Sequence, residues 1–268
     1  MMRIGFYQFM PVFGDVERNL YAIEQALSDR KADLIVLPEL CTTGYQFISH
    51  DEVLNLAEAV PEGPACRRFL SLAAKTGIHI VAGIAEKDGE DLYNSAVLVS
   101  PGGTVAVYRK IHLFFEETVY FRPGAELPEV VDIGCAKIGI LVCFDWLFPE
   151  IFRILAMSGA DIIAHPSNLV LPYCQSAMQT RSIENRIFTI TSNRYGTEER
   201  GGKQSLSFTG MSQITGVRGE LLYRAATEGD KLHIVEIDPA EARDKTINRY
   251  NAIFESRRPD MYGKAVPV

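Results

Sequence analysis

Apolar positions recur along this chain with two periods, and the switching between them sets the predicted elements. Residues 2–9 alternate like a strand, and Asp15 is placed to cap a helix reaching about residue 31, with Leu20, Ile23 and Leu27 spaced to share one face. A short buried strand at 33–37 ends at Pro38-Glu39. A second helix begins near Pro64 and stops at Gly77, a residue that tolerates positive φ. Three strands follow at 78–85, 93–99 and 104–111, and Pro101-Gly102-Gly103 turns the last two into an antiparallel hairpin. The sheet they join is therefore mixed.

Beyond them, a hairpin around Gly134 leads into residues 138–142, an almost continuous apolar run that reads as a strand covered on both faces. It stops at Cys143, and Pro149 suits the first turn of a helix running to Gly159. A strand at 161–164, a helix at 175–186 and a strand at 188–192 come next. The polar, glycine-containing stretch 197–205 reads as a mobile loop. Strands at 208–214, 221–224 and 232–237 read as a meander, and Asp238-Pro239 as the cap of a short helix. Strands alternating with helices, with hairpins among them, predict an αββα sandwich: two mixed sheets flanked by helices on their outer faces. Without a linker or a fixed-period repeat, residues 1–268 are expected to form a single domain. The tail 247–268, with Tyr250, Phe254 and Tyr262 among arginines, is expected to pack on that domain or on a partner subunit.

Charge and cysteine usage narrow the function. A net charge of -7 speaks against a nucleic acid partner, which requires clustered cations to release counterions. Five cysteines without short paired spacing, behind a strand-like opening in place of a signal peptide, fit reduced thiols in the cytoplasm. No apolar run approaches the roughly 20 residues of a membrane span. The five histidines are scattered singly, so no metal is expected.

Cys143 sits where a buried strand gives way to a helix, which is where a nucleophile would be exposed beside backbone N–H groups. A free thiol titrates near 8.5 and burial raises that, so a neighbouring cation is needed to stabilise the thiolate. Lys110, closing the strand at 104–111, is the candidate, and the same ammonium would hold a developing oxyanion. Glu39, at the end of another apolar strand, supplies a carboxylate to take the thiol's proton and activate water. Singly, such a cysteine is ordinarily a small core residue, and a strand-end lysine or glutamate is ordinarily solvated. Their joint placement at strand ends singles them out.

Leu37-Pro38-Glu39-Leu40 followed by Thr43-Gly44-Tyr45, then Tyr108-Arg109-Lys110-Ile111-His112-Leu113, then Cys143-Phe144-Asp145-Trp146-Leu147-Phe148-Pro149-Glu150, resemble the three signature segments of the nitrilase superfamily, the carbon–nitrogen hydrolases. Asn94-Ser95-Ala96, the segment from Arg181 to Arg186, Asn193-Arg194-Tyr195-Gly196 and Phe208-Thr209-Gly210-Met211-Ser212 extend the resemblance over most of the chain. It implies a Glu-Lys-Cys triad at Glu39, Lys110 and Cys143. A second glutamate of the family falls on Glu117, with Glu116 the competing position. Tyr45, Phe121, Phe144, Trp146 and Asn168, close to these segments, are the expected substrate-binding residues, and the backbone N–H of Phe144 the second oxyanion donor.

The resemblance further implies hydrolysis of a small linear amide through a cysteine thioester, without cofactor, in a homodimer or larger homo-oligomer. Phe144-Asp145 stands where true nitrilases carry Trp-Glu, which places the amidase reading first. Hydrolysis of small aliphatic nitriles is the alternative. An N-carbamoyl hydrolase comes next, since no basic residue follows the cysteine to bind a substrate carboxylate. A catalytically silent binding or assembly subunit is the remaining possibility.

Overall fold

The computed structural model describes residues 1–262. One six-stranded sheet comprises β1 (Met2–Gln8), β2 (Leu34–Val36), β3 (His79–Asp88), β4 (Asp91–Val99), β5 (Val105–Arg109) and a late strand, β14 (Lys231–Ile237), in the order β14-β1-β2-β3-β4-β5. The other comprises β6 (Val130–Asp132), β7 (Lys137–Ile140), β8 (Ile162–Ser167), β9 (Phe188–Asn193), β12 (Gln213–Thr215) and β13 (Leu221–Arg224), in the order β13-β12-β9-β8-β7-β6. Each sheet has three parallel strands at its centre, β1-β2-β3 and β7-β8-β9, with antiparallel strands outside. Two antiparallel pairs stand apart: β10 (Tyr195–Glu198) with β11 (Leu206–Thr209), and β15 (Thr246–Asn248) with β16 (Asn251–Ala252).

Side-chain alternation sorts the strands' residues between two cores. Ile4, Phe6, Val36, Val81 and Leu98 face Ile138, Ala164 and Ile190 in the seam between the sheets. Their neighbours Ile35, Ile80, Ala82 and Val97 turn outward, under α1 (Val16–Leu27) and α3 (Pro64–Thr76), which contribute Leu20, Ile23, Leu27, Phe69 and Leu72. On the other outer face, α5 (Pro149–Met157) and α6 (Cys174–Asn185) bring Phe152, Leu155 and Met178. Burying each such side chain is worth about 1.5–3 kcal/mol, so the two-sided strands need helices on both outer faces. Three short helices, α2 (His50–Leu56), α4 (Glu117–Tyr120) and α7 (Pro259–Tyr262), lie in connections. Among the described residues no helix is long and apolar enough to cross a membrane.

The two mixed sheets flanked by helices are as expected, and several local readings are corrected. The expected strand at 208–214 is broken at Gly210, whose φ of +57 and approach to Thr227, where a Cβ would lie 2.0 Å from the carbonyl oxygen, only glycine permits. Its halves belong to different sheets. The last three strands form no meander, because β14 crosses to the first sheet and pairs antiparallel with β1. Stretch 197–205 is fastened: it starts as strand, and Arg200 and Lys203 bind Glu52 and Glu116 at 2.7 and 2.8 Å. The first helix ends at Leu27, earlier than the pattern implied, and α2 was not foreseen. In the tail, Phe254 packs on the seam cluster beneath Arg153 and Lys245, whereas Tyr250 and Tyr262 are exposed. The rest of the expected tail, 263–268, lies outside the described residues.

Candidate active site

Three strand ends and one short helix deliver the site. Beyond β2 the chain stays registered to β3: Leu37 N–H donates to Val81 at 2.7 Å and Cys41 N–H to Gly83 at 2.9 Å. Glu39 is thereby fixed against Gly83, where a Cβ would come within 2.4 Å of its Cα, so this approach depends on glycine. Lys110 follows β5, its N–H donating to the Asn94 carbonyl at 2.9 Å. Glu117 opens α4 and is buried, whereas Glu116 turns away to Lys203. Of the two glutamates, Glu117 is the one beside Lys110.

Lys110, fully buried, is clasped between the two carboxylates. Its Nζ donates to Glu39 Oε1 at 2.7 Å and to Glu117 Oε1 at 2.8 Å. Asn94 Nδ2 also donates to Glu39 Oε1 at 2.7 Å, and the Tyr45 hydroxyl to Glu117 Oε1 at 2.8 Å. Glu39 Oε2 is buried without a partner. Burial pulls the Lys110 ammonium toward neutrality, but Glu117 and Glu39 more than offset it and hold the charge. Burial pushes the Glu117 carboxyl up to about 7, with Lys110 opposing and Glu39 reinforcing the shift.

Cys143 lies in a 3-10 turn spanning Cys143–Leu147, with a φ of 44°, a region that costs an L-residue roughly 1–2 kcal/mol. Buried polar groups hold this turn. Asp145 accepts from the Val142 N–H and the Tyr108 hydroxyl, each at 2.8 Å, and from His112 Nδ1 at 2.7 Å. His165 Nε2 donates to the Cys143 carbonyl at 2.8 Å. A carbonyl only accepts, so Nε2 carries the proton, and burial holds this imidazole down to about 4 and therefore neutral. The Cys143 thiol itself is raised well above its usual range by burial first and by the Glu39 carboxylate next, with Lys110 only partly opposing. Burial and the Glu39 carboxylate thus favour the protonated thiol, so a base must take its proton during attack, the part the sequence reading gave to Glu39.

The predicted substrate-binding residues divide between two small cavities. Phe144, Trp146 and Asn168 line a narrow cleft beside Cys143, together with Phe114, Leu169, Val170 and Leu171. Tyr45 and Phe121 instead line a separate cavity on the Glu117 side, and the Phe121 ring packs against Phe47 at 5.8 Å. Sequence reasoning missed Phe114 and the run Leu169 to Leu171, as well as Asp145 and His165 as supports of the turn. Asn94 was visible only as part of a family string.

A sandwich whose strand ends bring a buried cysteine together with a lysine and two carboxylates has the layout of a hydrolase that works through cysteine. Residues 3–245 match the carbon-nitrogen hydrolase family, and the chain belongs to it. It is 44% identical over 265 residues to a protein of Pyrococcus abyssi described as a nitrilase, covering 98% of this chain and 99% of that one. An (R)-stereoselective amidase from Pseudomonas is 32% identical over 244 residues, covering 88% of this chain and 85% of that one. Among solved structures, an amidase from Nesterenkonia superposes with a TM-score of 0.81 at 27% identity, covering 99% of this chain and 100% of that one. A mutant of that amidase shows acrylamide joined to the active-site cysteine by Michael addition. A carbon-nitrogen hydrolase from Helicobacter pylori superposes with a TM-score of 0.85 at 27% identity, covering 98% of this chain and 97% of that one.

Proposed function

We propose that the protein hydrolyses small, uncharged aliphatic amides to the carboxylic acid and ammonia through a thioester on Cys143. The protonated resting thiol requires its proton to leave as sulfur attacks, and Glu39 Oε2 is the unpartnered acceptor nearby. As the S–C bond forms, the carbonyl π pair moves onto oxygen, held by Lys110 Nζ and the Phe144 N–H. Glu39 then passes the proton to the amide nitrogen, the C–N bond breaks and ammonia leaves. Water deprotonated by Glu39 attacks the thioester, the C–S bond breaks, and the proton returns to sulfur.

One observation carries the choice of amide. Asn168 Nδ2 is committed to the Glu39 carbonyl at 2.9 Å, so its Oδ1 is turned elsewhere, buried and without a partner, on a residue lining the Cys143 cleft. An amide NH2 donates to such an acceptor and a nitrile does not. Among the described residues no charged side chain lines this cleft, which favours neutral substrates over carbamoyl amino acids. The nitrile reading draws on the similarity to the Pyrococcus abyssi protein.

Ammonia release from acetamide, propionamide and butyramide, measured against the matching nitriles, tests the reading. Amides should lead, and Asn168→Leu, which also removes the bond to the Glu39 carbonyl for both substrates, should lower kcat/KM for amides by about 10- to 100-fold more than for nitriles. Faster nitrile turnover, with Asn168→Leu lowering both substrate classes alike, assigns the nitrile reading instead. Cys143→Ala should fold and be inactive, and near-wild-type turnover by it sinks the mechanism. Silence toward every substrate, with no labelling of Cys143 by iodoacetamide, would mean a binding or assembly subunit.

A further inference from the structure

The hairpin of β10 and β11 belongs to neither large sheet, yet it buries a pair of charges. Arg194, preceding β10, and Glu198, closing it, form a salt bridge with side chains only 1% and 6% exposed. Two charges this far from water are tolerated when their remaining hydrogen-bonding capacity is filled. Arg194 also donates to the Pro11 carbonyl at 3.3 Å, and its guanidinium lies 4.1 Å above the Phe208 ring. Glu198 accepts the backbone N–H of Tyr45 at 3.1 Å and of Gln46 at 2.6 Å. Those amides lie outside every helix and strand, so Glu198 supplies the acceptor that a ladder would otherwise provide. The Tyr45 ring meets Phe208 edge-on at 5.8 Å, and its hydroxyl reaches Oε1 of Glu117, whose two oxygens both lie within 2.8 Å of Lys110 Nζ.

We infer that Arg194 and Glu198 are positioning residues of the active site, holding Tyr45 so that its hydroxyl stays bonded to the Glu117 carboxyl group beside Lys110. The inference rests on the place given to Glu117 in the proposed site. A merely structural ion pair would bind wherever the fold needed it, whereas both backbone bonds of Glu198 go to the segment carrying Tyr45. The titratable groups acting on Glu117 are Lys110 after β5, Glu39 after β2, Tyr45 between β2 and α2, and the Cys143 thiol, and the Phe114 backbone N–H donates to its Oε2 at 3.3 Å. Lys110 and the Tyr45 hydroxyl favour its carboxylate, whereas burial and Glu39 favour its acid. Losing the hydroxyl therefore moves its titration to higher pH, by about one unit for a single bond to a charged group.

The test follows two readouts across pH on either side of neutrality: alkylation of Cys143 by iodoacetamide, and kcat/KM for propionamide. Wild type is compared with Tyr45→Phe, Glu198→Gln, Glu198→Asp and the Tyr45→Phe/Glu198→Gln double variant. The limb belonging to Glu117 should move up about one unit in Tyr45→Phe and in Glu198→Gln, less in Glu198→Asp, and no further in the double variant. Variants at Glu198 that melt lower yet titrate as wild type would overturn the inference, as would a double variant shifted by the sum of the singles. If Glu198→Gln fails to fold, Glu198→Asp carries the comparison. Wild type inert toward propionamide counts against the proposed function alone, because the alkylation profile still tests the relay.

Discussion

The His165 imidazole donates from Nε2 to the main-chain carbonyl of Cys143 at 2.8 Å, so a side chain on β8 braces the backbone of the nucleophile. The brace offsets an unfavourable φ at Cys143 and fixes where sulfur points. His165→Ala should lower stability by about 1–3 kcal/mol by orphaning that carbonyl. It should lower kcat about 10- to 100-fold with little change in KM, since a misaimed nucleophile loses rate before affinity. His165→Gln, whose amide can donate, should recover part of both. Unfolding midpoints and steady-state kinetics check this, and an unchanged kcat in His165→Ala would remove the brace.

Two buried groups tilt the pH dependence of stability in opposite directions. As pH falls below 6.5, the unfolded chain protonates His165 while the folded one resists until about 4, so stability is lost on acidification. Glu117, raised from 4.5 to about 7, contributes stability that is complete below 4.5 and lost as pH rises to 7. Each swing is roughly 3 kcal/mol, and the two slopes oppose each other in the shared window of 4.5 to 6.5. His165→Gln should therefore gain stability as pH falls through this window, and Glu117→Gln should lose it. Urea unfolding at several pH values measures the slopes, and parallel curves for wild type and His165→Gln would refute the account.

Asp145 offers a sharper comparison between two substitutions. Asn keeps an oxygen for the Val142 N–H and the Tyr108 hydroxyl, and its NH2 can face His112 once that ring takes its other tautomer. Ala leaves the buried donors of Val142 and Tyr108 unpaired. Asp145→Ala should thus cost about 3 kcal/mol or more, and Asp145→Asn about half as much. Equal denaturation midpoints for the two variants would show that the hydrogen bonds beneath the turn contribute little.

Removing Lys110 leaves Glu39 and Glu117 facing each other without a cation. Lys110→Met should cost about 3–5 kcal/mol near neutrality, and less on acidification as one carboxylate takes a proton. Turnover should fall at least about 100-fold with the oxyanion donor gone. A variant retaining a tenth of wild-type kcat would exclude the ammonium from that role.

What the sequence revealed depended on whether apolar burial held each part together. The strands that became β2 to β5 announced themselves by apolar runs and turn residues, and so did the element after Pro149. Helix α2 escaped notice because Val53 is its sole buried residue and no stripe forms. Stretch 197–205, which joins β10 to β11, read as a loop because ion pairs and hydrogen bonds, which leave no periodic signal, fasten it. The pairing of β14 with β1 was hidden because alternation identifies a strand without naming its partner. At the site, family strings marked Glu39, Lys110 and Cys143. Asp145 and His165 were passed over because their use is set by neighbours distant in sequence, Tyr108 and Thr191 among them.

Glu39, Lys110 and Glu117 belong to the first sheet and its connections, and Cys143 to the second, with the boundary in the segment between Gly124 and Val130. A cut there yields one fragment with the acids and the lysine, and another with the thiol. The second fragment also holds β14, the strand that completes the first fragment's sheet. Neither piece contains the full set of reacting groups, and the strand exchanged between them is a ready-made means of recognition, so the molecule is laid out as a split enzyme whose activity would report the reunion of its halves.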